Sequence, residues 1–136
     1  MPRAEVVDEL VDLGKLLEEF RASCSEEIGS IVIHVGVVKS VRSGREVESF
    51  ELVDEDGRGV EKLLAIAKEA AEKPGVGDVW VFCKVGELKP KDFILYVIAS
   101  GESRQAAFEA ARYALDQIKG SKPLKEVERF GKELRD

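Results

Sequence analysis

The first half of the chain alternates between runs of β-branched residues and segments in which apolar residues recur at helical spacing. After residues 4–12, which we interpret as containing a short strand, residues 13–23 place four apolar side chains on one helical face: Leu13, Leu16, Leu17 and Phe20. Residues 31–41 are rich in valine and isoleucine and predict a buried central strand. A turn at 42–46 leads into a strand at 47–54, so we expect these two strands to form a hairpin.

A helix and a second hairpin follow. From Arg58 onward apolar residues recur at helical spacing, until the Pro-Gly pair at 74–75 ends the helix. Two apolar strands, at 79–88 and 93–100, flank a short polar turn and predict a second hairpin.

The last long pattern is again helical. Ser103 is a good N-cap, and one stripe is formed by Ala107, Phe108, Ala111, Leu115 and Ile118. Beyond Gly120 the chain is polar, and its apolar residues are three or four positions apart: Leu124, Val127, Phe130 and Leu134. This spacing favours either a short amphipathic helix or a partly ordered tail.

The order of these elements is β, α, β, β, α, β, β, α. It predicts an α+β domain with an antiparallel or mixed sheet built from hairpins and with helices packed on one side, an arrangement like the α/β hammerhead. We expect one domain over residues 1–136, in which residues 121–136 are a C-terminal tail that can be mobile.

Composition narrows the class of protein. With 136 residues, of which 44% are hydrophobic, the chain can bury the core of one domain. Its apolar runs are shorter than the ~20 residues of a membrane span, and its N-terminus lacks the apolar region of a secretory signal, so we expect no membrane association and a cytoplasmic location. The net charge of −6 argues against a nucleic-acid partner, although one local basic pocket can still bind a small anion.

Metal binding and nucleophilic catalysis find little support in the sequence. Two cysteines and one histidine provide no cluster with the spacing of zinc ligands. His34 lies within an apolar strand, where it either faces a pocket or is a structural histidine, and we favour the structural interpretation. Cys83 lies in another apolar strand, which favours an inert buried thiol over a nucleophile.

Basic side chains are the remaining candidates. They occur at strand ends and at both ends of the last long helix: Lys39, Lys84, Arg104, Lys119, Lys122 and Lys125. Arg104 is the informative one, because a cation in the first turn of a helix is disfavoured by roughly 0.3–1 kcal/mol. An anionic ligand held by Arg104 and the amides of that turn would explain it, and a solvated surface arginine is the alternative.

Four segments in this order resemble the family of the large catalytic subunit of molybdopterin synthase. They are "GSIVIHVGVVK", "CKVGELKPKD", "SRQAAFEAARYALDQIK" and "KPLKEVE", and the similarity spans roughly residues 29–128. The resemblance implies a dimer that binds a small ubiquitin-like sulfur carrier at each end, which makes a heterotetramer. It also implies transfer of sulfur from the carrier's C-terminal thiocarboxylate to cyclic pyranopterin monophosphate, a small anionic pterin, with no cofactor and no metal.

The same resemblance assigns roles to residues of this chain. Lys119 and Lys125 would be catalytic. The substrate would be bound by Val37, Val38, Lys39, Ser103, Arg104, Lys119 and Glu126.

Several positions depart from the family pattern. His34 replaces an aromatic residue, and Ser103 replaces a histidine. At the C-terminal motif an ungapped alignment puts Glu126 at the second catalytic lysine, whereas a deletion after Leu124 puts Lys125 there, and we prefer the second alignment. Three hypotheses follow: an active catalytic subunit, a catalytically degenerate paralogue that binds a carrier protein or another anion, and an unrelated domain whose lysines form a solvated face.

Overall fold

Two sheets and three helices make up the part of the chain that the computed structural model describes, residues 1–133. The elements are β1 (Arg3–Val7), α1 (Leu13–Ser23), β2 (Ser30–Val37), β3 (Val41–Arg42), β4 (Arg45–Val53), α2 (Gly59–Ala71), β5 (Val76–Lys84), β6 (Gly86–Leu88), β7 (Phe93–Gly101), α3 (Arg104–Ser121) and β8 (Lys125–Glu133). The predicted α+β class is confirmed. None of the helices in these residues has the length and apolar character of a membrane span.

The first sheet has the strand order β1-β5-β7-β2 and is mixed, because β1 pairs with β5 in parallel and the other pairs are antiparallel. The predicted hairpin of β5 and β7 is confirmed. The prediction of a central strand at 31–41 is wrong, since β2 is at the edge of this sheet and its residues from Ser30 to Gly36 are only half-buried. The predicted hairpin with 47–54 is also wrong, because β2 pairs with β7. Of residues 30–42, only Val41 and Arg42, which form β3, pair with β4.

Helices cover both faces of the first sheet. The helices α2 and α3 pack against one face, on which lie the buried side chains of Val79, Val81 and Val97. The helix α1 packs against the opposite face, where Phe20 meets Trp80 edge-on with ring centroids 4.9 Å apart. The expected one-sided arrangement therefore holds for α2 and α3 but not for α1. The reason is that β5 and β7 are apolar on both faces, and each face requires a cover.

The second sheet joins β4 to β3, β6 and β8. The strand β8 pairs with β4 along its length, from Val53 opposite Lys125 to Arg45 opposite Glu133. The predicted amphipathic helix at the C-terminus is therefore wrong, because this segment makes its backbone hydrogen bonds to β4 instead. Leu134 lies outside the described residues, and the mobility of the tail stays a prediction.

Candidate functional site

A cavity of about 460 Å³ lies where the C-terminal end of α3 meets the two sheets. Its apolar side is formed by residues such as Leu63, Ile94, Leu95 and Leu124, which belong to or pack against the main core. Its polar side carries Lys119 from the last turn of α3 and several other charged residues. The cavity therefore offers an apolar surface beside a charged rim, a combination suited to a ring system that bears an anionic group.

Lys119 and Lys122 are the free cations of this rim. The helix α3 ends at Ser121, and Lys122 caps it in the left-handed conformation, with φ 47° and its N–H donating to the Ile118 carbonyl at 3.0 Å. This turn brings the side chains of Lys119 and Lys122 to one cavity. In the described residues neither side chain forms an ion pair or a hydrogen bond, so both are available to an anion.

Charges of both signs line the cavity. Arg42 contacts it from β3, and its Nη1 lies 3.4 Å from a carboxylate oxygen of Glu128. Asp116 and Glu126 bring two carboxylates to the same rim. The formal sum is three cations against two anions, and the anions limit how strongly a multiply charged ligand can bind.

Cys83 lies on the apolar side of the cavity and is buried. Burial raises the pKa of its thiol to about 12, because a thiolate is disfavoured away from water. A thiol with such a pKa is almost entirely protonated at neutral pH. The predicted burial of Cys83 is confirmed, and its high pKa opposes a nucleophilic role.

His34 also lines the cavity. Among the described residues its side chain has no hydrogen-bond partner, and burial lowers the pKa of its imidazole below the ordinary value. Our preference for a structural histidine, hydrogen-bonded in the core or at a strand end, is wrong. The imidazole faces a pocket instead, since β2 at the sheet edge turns this side chain toward the end of α3.

Lys125 does not join Lys119. Glu126 lines both this cavity and a neighbouring pocket of about 410 Å³, whereas Lys125 lines the neighbouring pocket and not this cavity. There the Lys125 amine lies 3.1 Å from a carboxylate oxygen of Glu55. The geometry thus agrees with the ungapped alignment, in which Glu126 takes the position of the second catalytic lysine. A catalytic role of Lys125 stays a prediction without geometric support.

The residues predicted at the N-terminus of α3 lie far from this cavity in the same chain. Ser103 is the N-cap, as predicted, and its hydroxyl accepts a hydrogen bond from the Ala106 amide at 3.2 Å. Arg104 is exposed at the first helical position. Fifteen residues separate it from Lys119, which corresponds to about 22 Å along a helix. One chain therefore cannot bring Arg104 and Lys119 to one small ligand.

The predicted substrate-binding residues at the end of β2 do not line the cavity either. Val38 is buried, and its backbone bonds to the β6–β7 turn: its N–H donates to the Asp92 carbonyl at 2.9 Å, and its carbonyl accepts from the Lys91 amide at 2.8 Å. Val37 and Lys39 are exposed. Neither of them lines the cavity.

Comparison with known proteins decides the family. The model of the MoaE protein family matches residues 6–121. The chain belongs to the MoaE family. It is 29% identical over 124 residues to a molybdopterin synthase catalytic subunit from Ralstonia nicotianae, an alignment that covers 91% of this chain and 70% of that protein.

Solved structures agree with the MoaE assignment. The MoaE protein from Burkholderia ambifaria has a TM-score of 0.81 and 27% identity, over 99% of this chain and 92% of that one. A complex of subunits 1 and 2 of molybdopterin-converting factor from Helicobacter pylori has a TM-score of 0.73 over 96% of this chain and 88% of that one. Its identity of 14% supports a common fold alone.

The MoaE match ends at Ser121, and four residues beyond it line the cavity: Lys122, Pro123, Leu124 and Glu126. Lys122 was one of the basic candidates in the sequence, but it was assigned neither a catalytic nor a substrate-binding role. The available signal was its position directly after a helix end that carries Lys119. Arg42 was missed as well, and no pattern in the sequence marks it, because its place on the cavity depends on the pairing of β3 with β4.

Proposed function

We propose that this protein is the catalytic subunit of a molybdopterin synthase. It transfers sulfur from the C-terminal thiocarboxylate of a small ubiquitin-like carrier to cyclic pyranopterin monophosphate, in the cytoplasm and without a resident cofactor. The observation that carries the proposal is that Lys119, in a chain of the MoaE family, lies with its amine free on a cavity that has one apolar side. The pterin ring would lie against the apolar side and the anionic groups against the lysines.

The chemistry assigns these lysines a role. The phosphate of the substrate and the incoming thiocarboxylate are both anions, and negative charge develops on the carrier's carbonyl oxygen when sulfur leaves it. Ammonium groups that are already in place stabilise such charge more than mobile water does. We assign this role to Lys119 and Lys122, because both reach the same cavity while Lys125 is paired with Glu55.

Assembly would complete the site. The complex from Helicobacter pylori, by its name, joins subunits 1 and 2 of molybdopterin-converting factor, and a small carrier subunit would bind this chain in the same way. We propose a homodimer with one carrier on each protomer. Since Arg104 and Ser103 lie about 22 Å from Lys119 in one chain, they could hold the substrate only from the second copy.

A reconstituted reaction tests the assignment of the two lysines. The purified chain is mixed with thiocarboxylated carrier and the cyclic pterin, and the dithiolene product is assayed for Lys119→Ala, Lys122→Ala and Lys125→Ala. We expect a loss of at least about 100-fold for the first two, the size of effect found when one donor to a developing oxyanion is removed, and a small change for the third. The control is Lys68→Ala on the exposed side of α2.

Turnover that survives Lys119→Ala would refute the role of Lys119, and a wild type that makes no dithiolene would refute the function. Loss of activity in Lys125→Ala with normal activity in Lys122→Ala would restore the alignment that we preferred from the sequence. The backbone at position 122 is left-handed, and alanine adopts this conformation at about the same cost as lysine. Lys122→Ala therefore removes the side chain without changing the strain of the backbone.

A catalytically degenerate paralogue is the second candidate, and one observation favours it. Glu126 occupies the cavity of Lys119, and a carboxylate there repels an anionic substrate. If this candidate is correct, the wild type binds the carrier but makes no dithiolene. The variant Glu126→Lys, which restores a cation at this position, would then gain pterin binding.

A further inference from the structure

We propose that His34 is the general base that activates water to release the carrier from the substrate. This inference rests on the proposed function and deepens it, because it assigns the second half of each sulfur transfer to a side chain that the family pattern does not supply. In that pattern an aromatic residue stands at this position.

Atom balance requires such a step. When the thiocarboxylate sulfur attacks a carbon of the pterin substrate, a carbon–oxygen bond at that carbon breaks and its electron pair leaves with oxygen, so that the carrier's acyl group and the substrate become joined through a thioester. Sulfur stays with the substrate only if the acyl carbon–sulfur bond breaks. Water attacks the acyl carbon, a base takes one proton from that water, and the electron pair of the broken bond leaves with sulfur as a thiolate. The carrier then ends in a carboxylate, and no oxidant or reductant is needed.

The position of His34 fits this role. Its imidazole shares the cavity with Lys119, so it lies where the thioester would be held. No buried side-chain nitrogen or oxygen in the described residues is without a partner, and the imidazole of His34 has no partner, so its nitrogens are accessible to water. Gly36 lies two residues along the same face of β2, where a Cβ would be in ordinary van der Waals contact with His34 Nε2, at 3.7 Å.

The surroundings favour a neutral imidazole. The charged and titratable groups that line the cavity with it come from four elements: Arg42 of β3, Cys83 of β5, Asp116, Lys119 and Lys122 at the end of α3, and Glu126 of β8. The segment of β7 that lines the cavity contributes only Ile94 and Leu95. Burial keeps the pKa of His34 below its ordinary value, so the base form is present at pH 7. An imidazole is generally a better base near neutral pH than a carboxylate.

Intact-protein mass spectrometry of acid-quenched reactions tests the step directly. With His34→Gln, which keeps a polar side chain of similar reach but cannot take the proton, we expect a covalent carrier–substrate adduct to accumulate and to decay about 100-fold more slowly than in the wild type. In the wild type the decay should slow as the pH falls through the lowered pKa of His34. The variant Glu126→Gln tests a carboxylate of the same cavity as the alternative base, and the control is Lys68→Ala on the exposed side of α2, which should leave the decay rate unchanged.

The outcomes separate this inference from the proposed function. A wild type that forms neither adduct nor dithiolene refutes the function, and the role of His34 with it. A wild type that turns over while His34→Gln shows no adduct refutes the role of His34 alone, and so does an adduct that accumulates in Glu126→Gln instead. If His34→Gln does not fold, the wild-type pH profile decides: adduct decay that is independent of pH between 5 and 8 overturns the inference.

Discussion

Cys83 should react with iodoacetamide about a thousandfold more slowly than an ordinary thiol at pH 8. The thiolate is the reactive form, and burial raises the pKa of Cys83 from an ordinary value of 9.0 to about 12. At pH 8 a thiol with a pKa of 9 is about 10% thiolate, whereas one with a pKa of 12 is about 0.01% thiolate. The ratio of these fractions is about 1,000, and poor access to the buried sulfur can only increase it. Sulfur transfer should therefore not pass through Cys83.

Peptide mapping after timed alkylation of the folded protein measures this rate. Glutathione in the same buffer gives the reference, and Cys24, which is only half-buried, provides a second site in the same molecule. Alkylation in denaturant should remove the protection of Cys83, because its cause is burial. The variant Cys83→Ala should still make the dithiolene. Alkylation of folded Cys83 at the rate of glutathione, or loss of turnover in Cys83→Ala with the fold retained, would refute the reasoning.

Three further predictions concern stability, measured by urea unfolding. Phe20→Ala should lower the free energy of unfolding by about 3–5 kcal/mol, since Phe20 is fully buried against Trp80. The control Lys15→Ala, at an exposed position of α1, should change it by less than about 0.5 kcal/mol. Equal effects of the two substitutions would contradict the packing of α1. Ser103→Ala should cost about 1 kcal/mol through the lost N-cap, and no cost would mean that the cap is not formed. The pKa of His34 is lowered in the folded state, so as the pH falls below about 6.5 the imidazole is protonated in the unfolded chain before it is protonated in the folded one. The wild type should therefore lose stability relative to His34→Gln in that range. Parallel pH profiles of the two proteins would exclude this linkage.

Local patterns predicted the helices well, because each helix makes its own hydrogen bonds and shows its apolar face in its own sequence. The N-cap Ser103 is confirmed for that reason. Phe108 shows the limit: it fits the apolar stripe of α3, yet 61% of it is exposed.

Strand partners were harder to predict. The composition of β2 resembles a central strand, but whether a strand is central or at an edge depends on which distant segments pair with it. The conformation of β8 was predicted wrongly for the same reason. Its apolar residues have helical spacing, yet β4 offers an open edge, and pairing with that edge decides its conformation.

The candidate site depends both on a local helical pattern and on the pairing of distant strands. Lys119 was predictable, since it follows from a helix and a motif that are continuous in sequence. Which of Lys125 and Glu126 lines the cavity of Lys119 was not predictable, because it depends on the register of β8 against β4, where Leu52 lies opposite Glu126. A shift of one residue would turn the other side chain toward the cavity.

The division of the cavity wall at Ser121 makes this protein suitable for building chimaeras. The first sheet and all three helices are complete before Lys122, so a replacement of residues 122–133 would alter the chemistry of one wall while leaving the main hydrophobic centre nearly intact. Grafting the corresponding segment of an active relative would ask how much of a sulfur-transfer enzyme is encoded in a dozen residues. The same graft would separate changes of the reaction from changes of the scaffold.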